Sequence, residues 1–198
     1  MIQTLASRII KYAIRNGYVK DEEYEEYCYA LNLLINVLIT DISLLIIGFL
    51  MRMVWESILF WLVYKALHKF CGGYHFSNSL RCYLSSCVMS PITLVCISMV
   101  PYYAAPWQII TVVSALTLCF VSPVEAVNKP LDEREKKVFG RVARILTIVS
   151  VIIFIAMEAL GLHYVAKIVS LGIVWTAIFA VAGKLYLIYL KKVKNGAK

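Results

Sequence analysis

A histidine and a cysteine lie close together in one short polar stretch of an otherwise apolar sequence. The stretch covers residues 72–82 and reads GGYHFSNSLRC, with strongly apolar segments on both sides. A thiolate can attack a carbonyl carbon, and an imidazole can take the thiol proton and pass it to a leaving amine. His75 and Cys82 are therefore candidates for the general base and the nucleophile of a covalent mechanism. We call residues 72–82 the His–Cys loop.

The spacing of this pair requires a bend in the chain. His75 and Cys82 are seven residues apart, which on one continuous helix would separate them by about 10.5 Å along the axis. That separation is too long for proton transfer. The pair Gly72-Gly73 can adopt positive φ angles that other residues avoid, so the chain can turn ahead of the histidine.

Two residues that favour the start of a helix lie between the histidine and the cysteine. Ser77 and Asn78 are both favourable N-cap residues. If Asn78 caps a helix, Cys82 lies in the first turn of that helix. The helix dipole and the neighbouring Arg81 would then both favour the thiolate.

Other interpretations of these residues remain open on spacing alone. A cysteine beside a membrane helix often serves only in packing, and a histidine in such a loop often contacts solvent or lipid headgroups. A metal site would have only Cys71, His75 and Cys82 as ligands, and their spacing matches no common zinc pattern. We expect neither a metal nor another cofactor.

The composition indicates an integral membrane protein. The chain has 198 residues, of which 61% are hydrophobic and 16% are charged, whereas soluble domains carry about 25% charged residues. The apolar residues fall into runs of roughly 15–25, long enough to cross a hydrocarbon core about 30 Å thick. The sequence predicts an all-α, polytopic membrane protein with a single integral membrane domain over residues 1–198.

We predict an interfacial segment followed by about six transmembrane helices. Residues 1–27 form an amphipathic helix with a basic polar side, followed by an acidic link. A membrane bundle over residues 30–190 precedes a basic tail at 191–198, and a charged loop runs from Pro123 to Arg144. Residues 53–81 form either a full crossing with its loop or a re-entrant segment. The predicted crossings are 30–51, 53–68, 82–100, 107–122, 145–160 and 164–190.

Charge distribution predicts the orientation in the membrane. The net charge is +8, and with six crossings and the N-terminus inside, 18 of the 20 Lys and Arg residues fall on the inner side. Only Arg52 and Lys167 fall outside. The positive-inside rule therefore places both termini and the His–Cys loop in the cytoplasm. Topology and anionic lipids account for the basic charge, and no nucleic-acid motif accompanies it.

A polar stripe on the first predicted crossing supports an alternative function. The stripe consists of Asn32, Asn36, Thr40 and Asp41. A charge at this depth costs about 2.5–3.5 kcal/mol on insertion scales, so Asp41 should face protein. A small transporter or exporter could use such a stripe to line a path.

Three glycines in the last third of the chain predict close helix packing. Gly161, Gly172 and Gly183 recur at intervals of eleven residues, almost three helical turns. They line one helical face on which another element can approach closely.

Two motifs together resemble the AgrB family of bacterial accessory gene regulator proteins. The first is Gly72-Gly73-Tyr74-His75 followed by Cys82. The second is Pro123-Val124-Glu125 with Asn128-Lys129-Pro130-Leu131, ahead of a charged stretch. The resemblance covers nearly the whole chain.

This resemblance implies a homodimeric membrane cysteine endopeptidase of the bacterial plasma membrane that acts in quorum sensing. Its substrate would be a short AgrD-type pro-peptide, whose C-terminal tail is cleaved through an acyl-thioester on Cys82 with His75 as base. An internal Cys or Ser of the peptide would then close a thiolactone or lactone ring.

Two further expectations concern the surroundings of this site. Many family members carry arginine just before the Gly-Gly pair, where this chain has His68-Lys69, so an arginine-specific role there is in doubt. Glu125 is our candidate for orienting His75. Candidate contacts for an acidic substrate tail are Lys129, Arg134, Lys136 and Lys137.

Overall fold

The computed structural model describes residues 2–74, 79–125 and 131–196. Within these ranges the chain forms seven α-helices and no β-strand. A short 3-10 turn at Asp21–Glu23 joins the first two helices. The helices are α1 (Ile2–Arg15), α2 (Tyr24–Leu50), α3 (Val54–Cys71), α4 (Ser79–Met99), α5 (Ala104–Val121), α6 (Glu133–Ala159) and α7 (His163–Gly196). The all-α prediction is confirmed.

Helix α1 is the predicted amphipathic helix at the start of the chain. It packs on α2 and buries Ala6 and Ile10, while its basic residue Arg8 stays exposed. The helix ends at Arg15, and Gly17 follows with a φ of 75°. The interfacial location of α1 stays a prediction.

Helices α3 and α7 form the centre of the bundle. Helix α7 packs against α3, α5 and α6, and α2 packs against α1, α3 and α4. Small residues allow this close contact: a Cβ on Gly172 would lie 2.6 Å from Val63 Cγ1 on α3. The glycine periodicity therefore predicted close packing correctly on α7, whereas Gly161 lies in the turn that precedes this helix.

The predicted boundaries of three helices are wrong. Helix α6 begins at Glu133 and not near residue 145, so most of the predicted charged loop is helical. Asp132 accepts a hydrogen bond from the Glu135 backbone N–H, and the Glu135 side chain accepts one from Asp132, which forms a capping box. Helix α2 begins at Tyr24, inside the predicted acidic link, and α7 continues through the predicted tail to Gly196.

Five helices in the described ranges are long and apolar enough to cross a membrane, namely α2, α4, α5, α6 and α7. The protein is therefore a multi-pass helical membrane protein. Helix α3 was predicted as the second crossing but falls outside this group, because Glu56, Lys65 and Lys69 interrupt its apolar run. Whether α3 crosses fully or is re-entrant stays a prediction.

The two ends of the bundle can be named by the segments that meet there. We call the end that holds residues 72–74 and 122–125 the loop end. The opposite end, which holds residues 51–53, 100–103 and 160–162, is the far end. The described residues of the two sequence motifs, 72–74 with Cys82 and 123–125, lie at the loop end.

Candidate functional site

The structure describes the residues on both sides of the proposed catalytic histidine. His75, Ser77, Asn78 and Lys129 lie outside the described residues. The chain is described up to Tyr74 and again from the start of α4.

Gly72 is fixed against the segment that follows α5. Val124 N–H donates a hydrogen bond of 2.9 Å to the Cys71 carbonyl, and Gly72 forms a parallel bridge with Val124. Gly72 has a φ of 70°, and a Cβ there would lie 2.0 Å from the Val124 carbonyl oxygen. Only glycine fits this position, and the two motifs that carried the resemblance therefore meet in the fold.

Gly73 and Tyr74, which follow Gly72, are enclosed between α3 and α7. Tyr74 N–H donates a 2.9 Å hydrogen bond to the Phe179 carbonyl. A Cβ on Gly73 would lie 2.7 Å from His68 Cε1, and one on Gly183 would lie 2.6 Å from the Gly73 carbonyl carbon. The backbone of Gly73 and Tyr74 is thus held by contacts with α3 on one side and α7 on the other.

Cys82 lies in the first turn of α4, as the capping residues predicted, because the helix begins at Ser79. Its side chain is half-buried, while Arg81 is exposed. Next to it, the Tyr83 hydroxyl lies 3.0 Å from Ser43 Oγ and joins α4 to α2.

Three rings are stacked along α3, and the last of them, His68, lies against Gly73. The Trp61 and Tyr64 ring centroids are 5.3 Å apart with an interplanar angle of 24°. Tyr64 and His68 follow at 5.0 Å and 16°. Phe179 of α7 meets both Tyr64 and His68 edge-on. We call Trp61, Tyr64 and His68 the loop-end stack.

Asp41 pairs with groups of the neighbouring helix, as expected for a charge at membrane depth. Its two carboxylate oxygens accept hydrogen bonds from Lys65 Nζ at 2.8 and 2.7 Å. Trp61 Nε1 donates another, of 2.8 Å. The pair is partly exposed, with 31% of the Asp41 and 40% of the Lys65 side chain accessible.

The rest of the polar stripe on α2 is bonded within the helix. Asn36 Nδ2 donates to the Asn32 backbone and side-chain carbonyls. Thr40 donates to the Asn36 carbonyl at 2.8 Å. These three polar side chains therefore have hydrogen-bond partners within α2 itself.

The proposed orienting residue, Glu125, has a cationic partner. Lys136 Nζ lies 2.9 Å from the Glu125 carboxylate and 3.0 Å from that of Glu133. Arg134 and Lys137 are exposed on the first turns of α6. The start of α6 therefore presents basic side chains at the loop end, close to the segment that holds Gly72.

The described residues contain no group of three His, Cys, Asp or Glu side chains arranged to bind a metal ion. Among them, Cys71 is fully buried in the core.

Sequence reasoning missed the loop-end stack and its contacts. The stack has a signal in the sequence, since Trp61, Tyr64 and His68 follow helical spacing on one face of α3. The contacts of Gly73 with His68, and of Tyr74 with Phe179, had no local signal. They depend on how α3 and α7 pack.

The fold and this site define a multi-pass helical membrane protein with a cysteine at the start of a helix beside a glycine-fixed loop. The family model for AgrB, described as accessory gene regulator B, matches residues 3–180. The chain therefore belongs to the AgrB family, whose members act in agr quorum sensing and are generally processing proteases there.

Two curated relatives agree with this assignment. The chain is 27% identical over 199 aligned positions to "Putative AgrB-like protein" of Clostridium perfringens (strain SM101 / Type A), covering 90% of each sequence. It is 26% identical over 188 positions to "Putative AgrB-like protein 2" of Clostridium perfringens (strain 13 / Type A), covering 88% of this chain and 87% of the relative. No solved structure matches the chain.

Proposed function

We propose that this protein is a membrane cysteine endopeptidase that removes the C-terminal tail of an AgrD-type pro-peptide and promotes its cyclisation. Cys82 is the nucleophile and His75 the general base. The observation that carries the proposal is the placement of Cys82 in the first turn of α4, a short distance along the chain from a backbone segment enclosed on both sides. Membership of the AgrB family supports the same reaction.

The reaction proceeds in two acyl transfers. His75 takes the Cys82 thiol proton, and the sulfur attacks the carbonyl carbon at the junction of signal segment and tail. The C–N bond breaks as a C–S bond forms, and His75 gives its proton to the leaving amine. A Cys or Ser side chain of the bound peptide then attacks the thioester, closes the ring and returns the proton to Cys82.

The thioester keeps the acyl group activated, so ring closure needs no ATP. Water competes with the internal nucleophile of the peptide for the same thioester. Exclusion of water therefore decides between cyclisation and hydrolysis. The enclosure of Gly73 between α3 and α7 suits this requirement.

Basic side chains at the loop end would receive an acidic substrate tail. Arg134, Lys136 and Lys137 lie on the first turns of α6, and Lys129 precedes them in the sequence. Attraction of this kind favours association and weakens as salt increases. The protein would act as a homodimer in a plasma membrane containing anionic lipids, with its termini and the His–Cys loop in the cytoplasm.

Co-expression with the AgrD-type peptide encoded beside the gene, followed by mass spectrometry, tests this function. The wild-type protein should release the tail, and an acyl-thioester on Cys82 should be trapped when cyclisation is blocked. Cys82→Ala and His75→Ala should each leave the precursor intact. Processing that survives Cys82→Ala would contradict the proposal.

A matched control is available on the same helix. Cys87 is also half-buried on α4, so Cys87→Ala removes a similarly exposed thiol five residues further along the helix. It should process the peptide at the wild-type rate. Equal losses in the Cys82→Ala and Cys87→Ala variants would indicate a packing role for both cysteines.

A further inference from the structure

The two halves of α4, the helix that carries Cys82, are packed differently. The second half lies in the core. Its residues that are no more than 3% exposed are Met89, Ser90, Thr93, Leu94 and Ile97. In the first half, each of residues 80–88 is half-buried or exposed and none is buried. We call residues 80–88 the loop-end arm of α4. The proposed nucleophile therefore lies on the half of the helix that adds no buried residue to the core.

A proline lies where the two halves of α4 meet. Pro91 is inside the helix. Because proline has no N–H, it cannot donate the helical hydrogen bond to the carbonyl of Cys87, and its ring crowds that carbonyl. Helices bend most readily at such a point. The turn that ends at Pro91 is therefore the natural hinge between the loop-end arm and the buried half.

A hydrogen bond joins the loop-end arm to a fixed part of α2. The Tyr83 hydroxyl lies 3.0 Å from Ser43 Oγ, and we call this bond the latch. Ser43 precedes Leu44, whose carbonyl accepts a hydrogen bond from Ser57 Oγ of α3. A Cβ on Gly48 would lie only 2.8 Å from Ser57 Cβ, so α2 and α3 are in close contact here. The latch thus ties a lightly packed arm to a tightly packed site.

The other flank of the His–Cys loop is packed into the core. Cys71 is fully buried, and its carbonyl accepts the hydrogen bond from Val124 N–H. Gly73 is also buried, and Tyr74 N–H is bonded to the Phe179 carbonyl. A relative movement of the two flanks would therefore be a movement of the arm, with residues 72–74 staying in place.

The proposed reaction needs an element that opens and closes. The peptide has to reach Cys82, and water has to be kept from the acyl-thioester until the ring has closed. Enzymes commonly meet these two needs with a segment that moves on the microsecond to millisecond timescale. Segments that move in this way are drawn from the parts of a fold with few buried contacts.

We propose that the loop-end arm of α4 is a gate that bends at Pro91 and releases the latch to admit the pro-peptide to Cys82, then closes over the acyl-thioester. This inference rests on the proposed peptidase function. The peptide would enter between the arm and α2, where the latch opens. Tyr83, Ser43 and Pro91 set how often the gate opens and take no part in the bond changes.

Removal of the latch tests the gate without the peptide. Tyr83→Phe and Ser43→Ala each remove one hydroxyl of the latch. Loss of one such hydrogen bond shifts an equilibrium roughly 2- to 10-fold, so alkylation of Cys82 by iodoacetamide at a fixed pH should accelerate by that factor. Peptide mapping identifies the modified cysteine, and Cys119, half-buried on α5, should react at its wild-type rate. The double variant should be no faster than either single variant, because each of them loses the same bond.

The products formed from the peptide give a second measurement. Attack by the internal nucleophile on the thioester releases a ring, whereas attack by water releases a linear peptide. A gate that opens more often admits more water, so both latch variants should raise the ratio of linear to cyclic product, again roughly 2- to 10-fold. A contact that served only stability would change the yield of both products and leave their ratio unchanged.

The hinge is tested by restoring its missing hydrogen bond. Pro91→Ala supplies the N–H that α4 lacks, and opening would then have to break one more backbone bond. Alkylation of Cys82 and tail release should both slow roughly 2- to 10-fold. Pro106→Ala is the matched control, because Pro106 lies in the first turn of α5, where an N–H has no helical acceptor. This variant should match the wild type.

The far end of the bundle provides the control for the latch. Tyr164 donates a hydrogen bond of 2.9 Å to Glu56, so Tyr164→Phe removes a tyrosine hydroxyl that joins two helices away from the arm. Its Cys82 alkylation rate and its product ratio should match the wild type. Thermal unfolding of all variants separates opening of the arm from loss of the fold, and the latch variants serve if Pro91→Ala does not fold.

The possible outcomes are distinct. Wild-type alkylation rates and product ratios in both latch variants would overturn the gate while leaving the peptidase function in place. Equal acceleration at Cys82 and Cys119 would also overturn it, because the whole bundle would then have loosened. Processing by Cys82→Ala, in contrast, would reject the peptidase function and leave the alkylation results to report on the arm alone.

Discussion

The two ends of the bundle use the same three residue types in stacks that are built differently. At the loop end, Trp61, Tyr64 and His68 all belong to α3. At the far end, Tyr102 of the α4–α5 connection stacks on Trp107 of α5 and on His163, the first residue of α7. The first stack is rigid along one helix, whereas the second joins three chain segments.

The residues around the two stacks also differ. Around the far-end stack, Glu158 accepts hydrogen bonds from Tyr102 and Gln108, and Tyr164 donates to Glu56 across the same end of the bundle. These bonds hold helix ends together. At the loop-end stack, His68 instead lies against the backbone of Gly73. The far-end stack therefore joins three chain segments, whereas the loop-end stack belongs to a single helix.

The largest expected difference between the two ends comes from one pair of glycines. Gly72 at the loop end and Gly161 at the far end have nearly equal φ angles of 70° and 73°. A Cβ on Gly72 would lie 2.0 Å from the Val124 carbonyl oxygen, whereas a Cβ on Gly161 would meet nothing within 4 Å. An alanine would therefore introduce the same backbone strain at either position. Only at Gly72 would its Cβ also clash with a neighbouring atom.

Gly161→Ala should lower the free energy of unfolding by roughly 1–2 kcal/mol, the cost of the left-handed conformation. Gly72→Ala adds overpacking and should cost about 2–5 kcal/mol and abolish tail release. Thermal unfolding in detergent and the processing assay measure both effects. Equal destabilisation by the two variants would show that the contact with Val124 does not constrain the loop.

Most of the fold was predictable, because apolar runs of membrane length identify helices without knowledge of their partners. The start of α6 was not predicted, since hydropathy marks only the apolar part of a helix and its first turns are charged. A local signal was nevertheless present: Asp132 and Glu135 have the spacing of a capping box. Capping residues and apolar runs need to be considered together.

The candidate site was also predictable only in part, because only some of its features have a local signal in the sequence. The position of Cys82 in the first turn of α4 follows from local capping residues. The contact of Gly72 with Val124 and that of Tyr74 with Phe179 join segments that are far apart in the sequence. Nothing local encodes these contacts, because the first depends on the segment that follows α5 and the second on the packing of α3 against α7.

A smaller loss of stability is expected when the ion pair between Asp41 and Lys65 is broken. Asp41→Asn leaves Lys65 without its carboxylate, whereas Glu158→Gln at the far end removes a charge whose partners, Tyr102 and Gln108, are neutral. Because the Asp41–Lys65 pair is partly exposed, we expect Asp41→Asn to cost about 1 kcal/mol. Glu158→Gln should cost less.

Tail release separates this structural role from the transport alternative. A peptidase should retain most of its processing activity in Asp41→Asn and lose it in Cys82→Ala. A transporter that uses the α2 stripe should show the reverse dependence. The double variant Asp41→Asn with Lys65→Gln should recover stability, since it leaves no unpaired charge.

The smallest loss of stability is expected from breaking the Glu125–Lys136 pair. Substitutions at this pair also test whether Glu125 orients His75. Lys136 pairs with both Glu125 and Glu133, so Glu125→Gln and Glu133→Gln each remove one of two carboxylates from the same ammonium group. Surface pairs of this kind contribute about 0.2–1 kcal/mol. Thermal unfolding should therefore show small and similar shifts for both variants, reduced further by salt.

Processing activity would distinguish the two carboxylates if Glu125 also orients His75. In that case Glu125→Gln alone should slow tail release. It should also shift the alkylation of Cys82 by iodoacetamide, followed across pH by peptide mapping, to higher pH, because a less well oriented imidazole supports the thiolate less. Glu133→Gln should leave both unchanged. If both variants process at the wild-type rate, Glu125 serves only to hold residues 122–125 against α6.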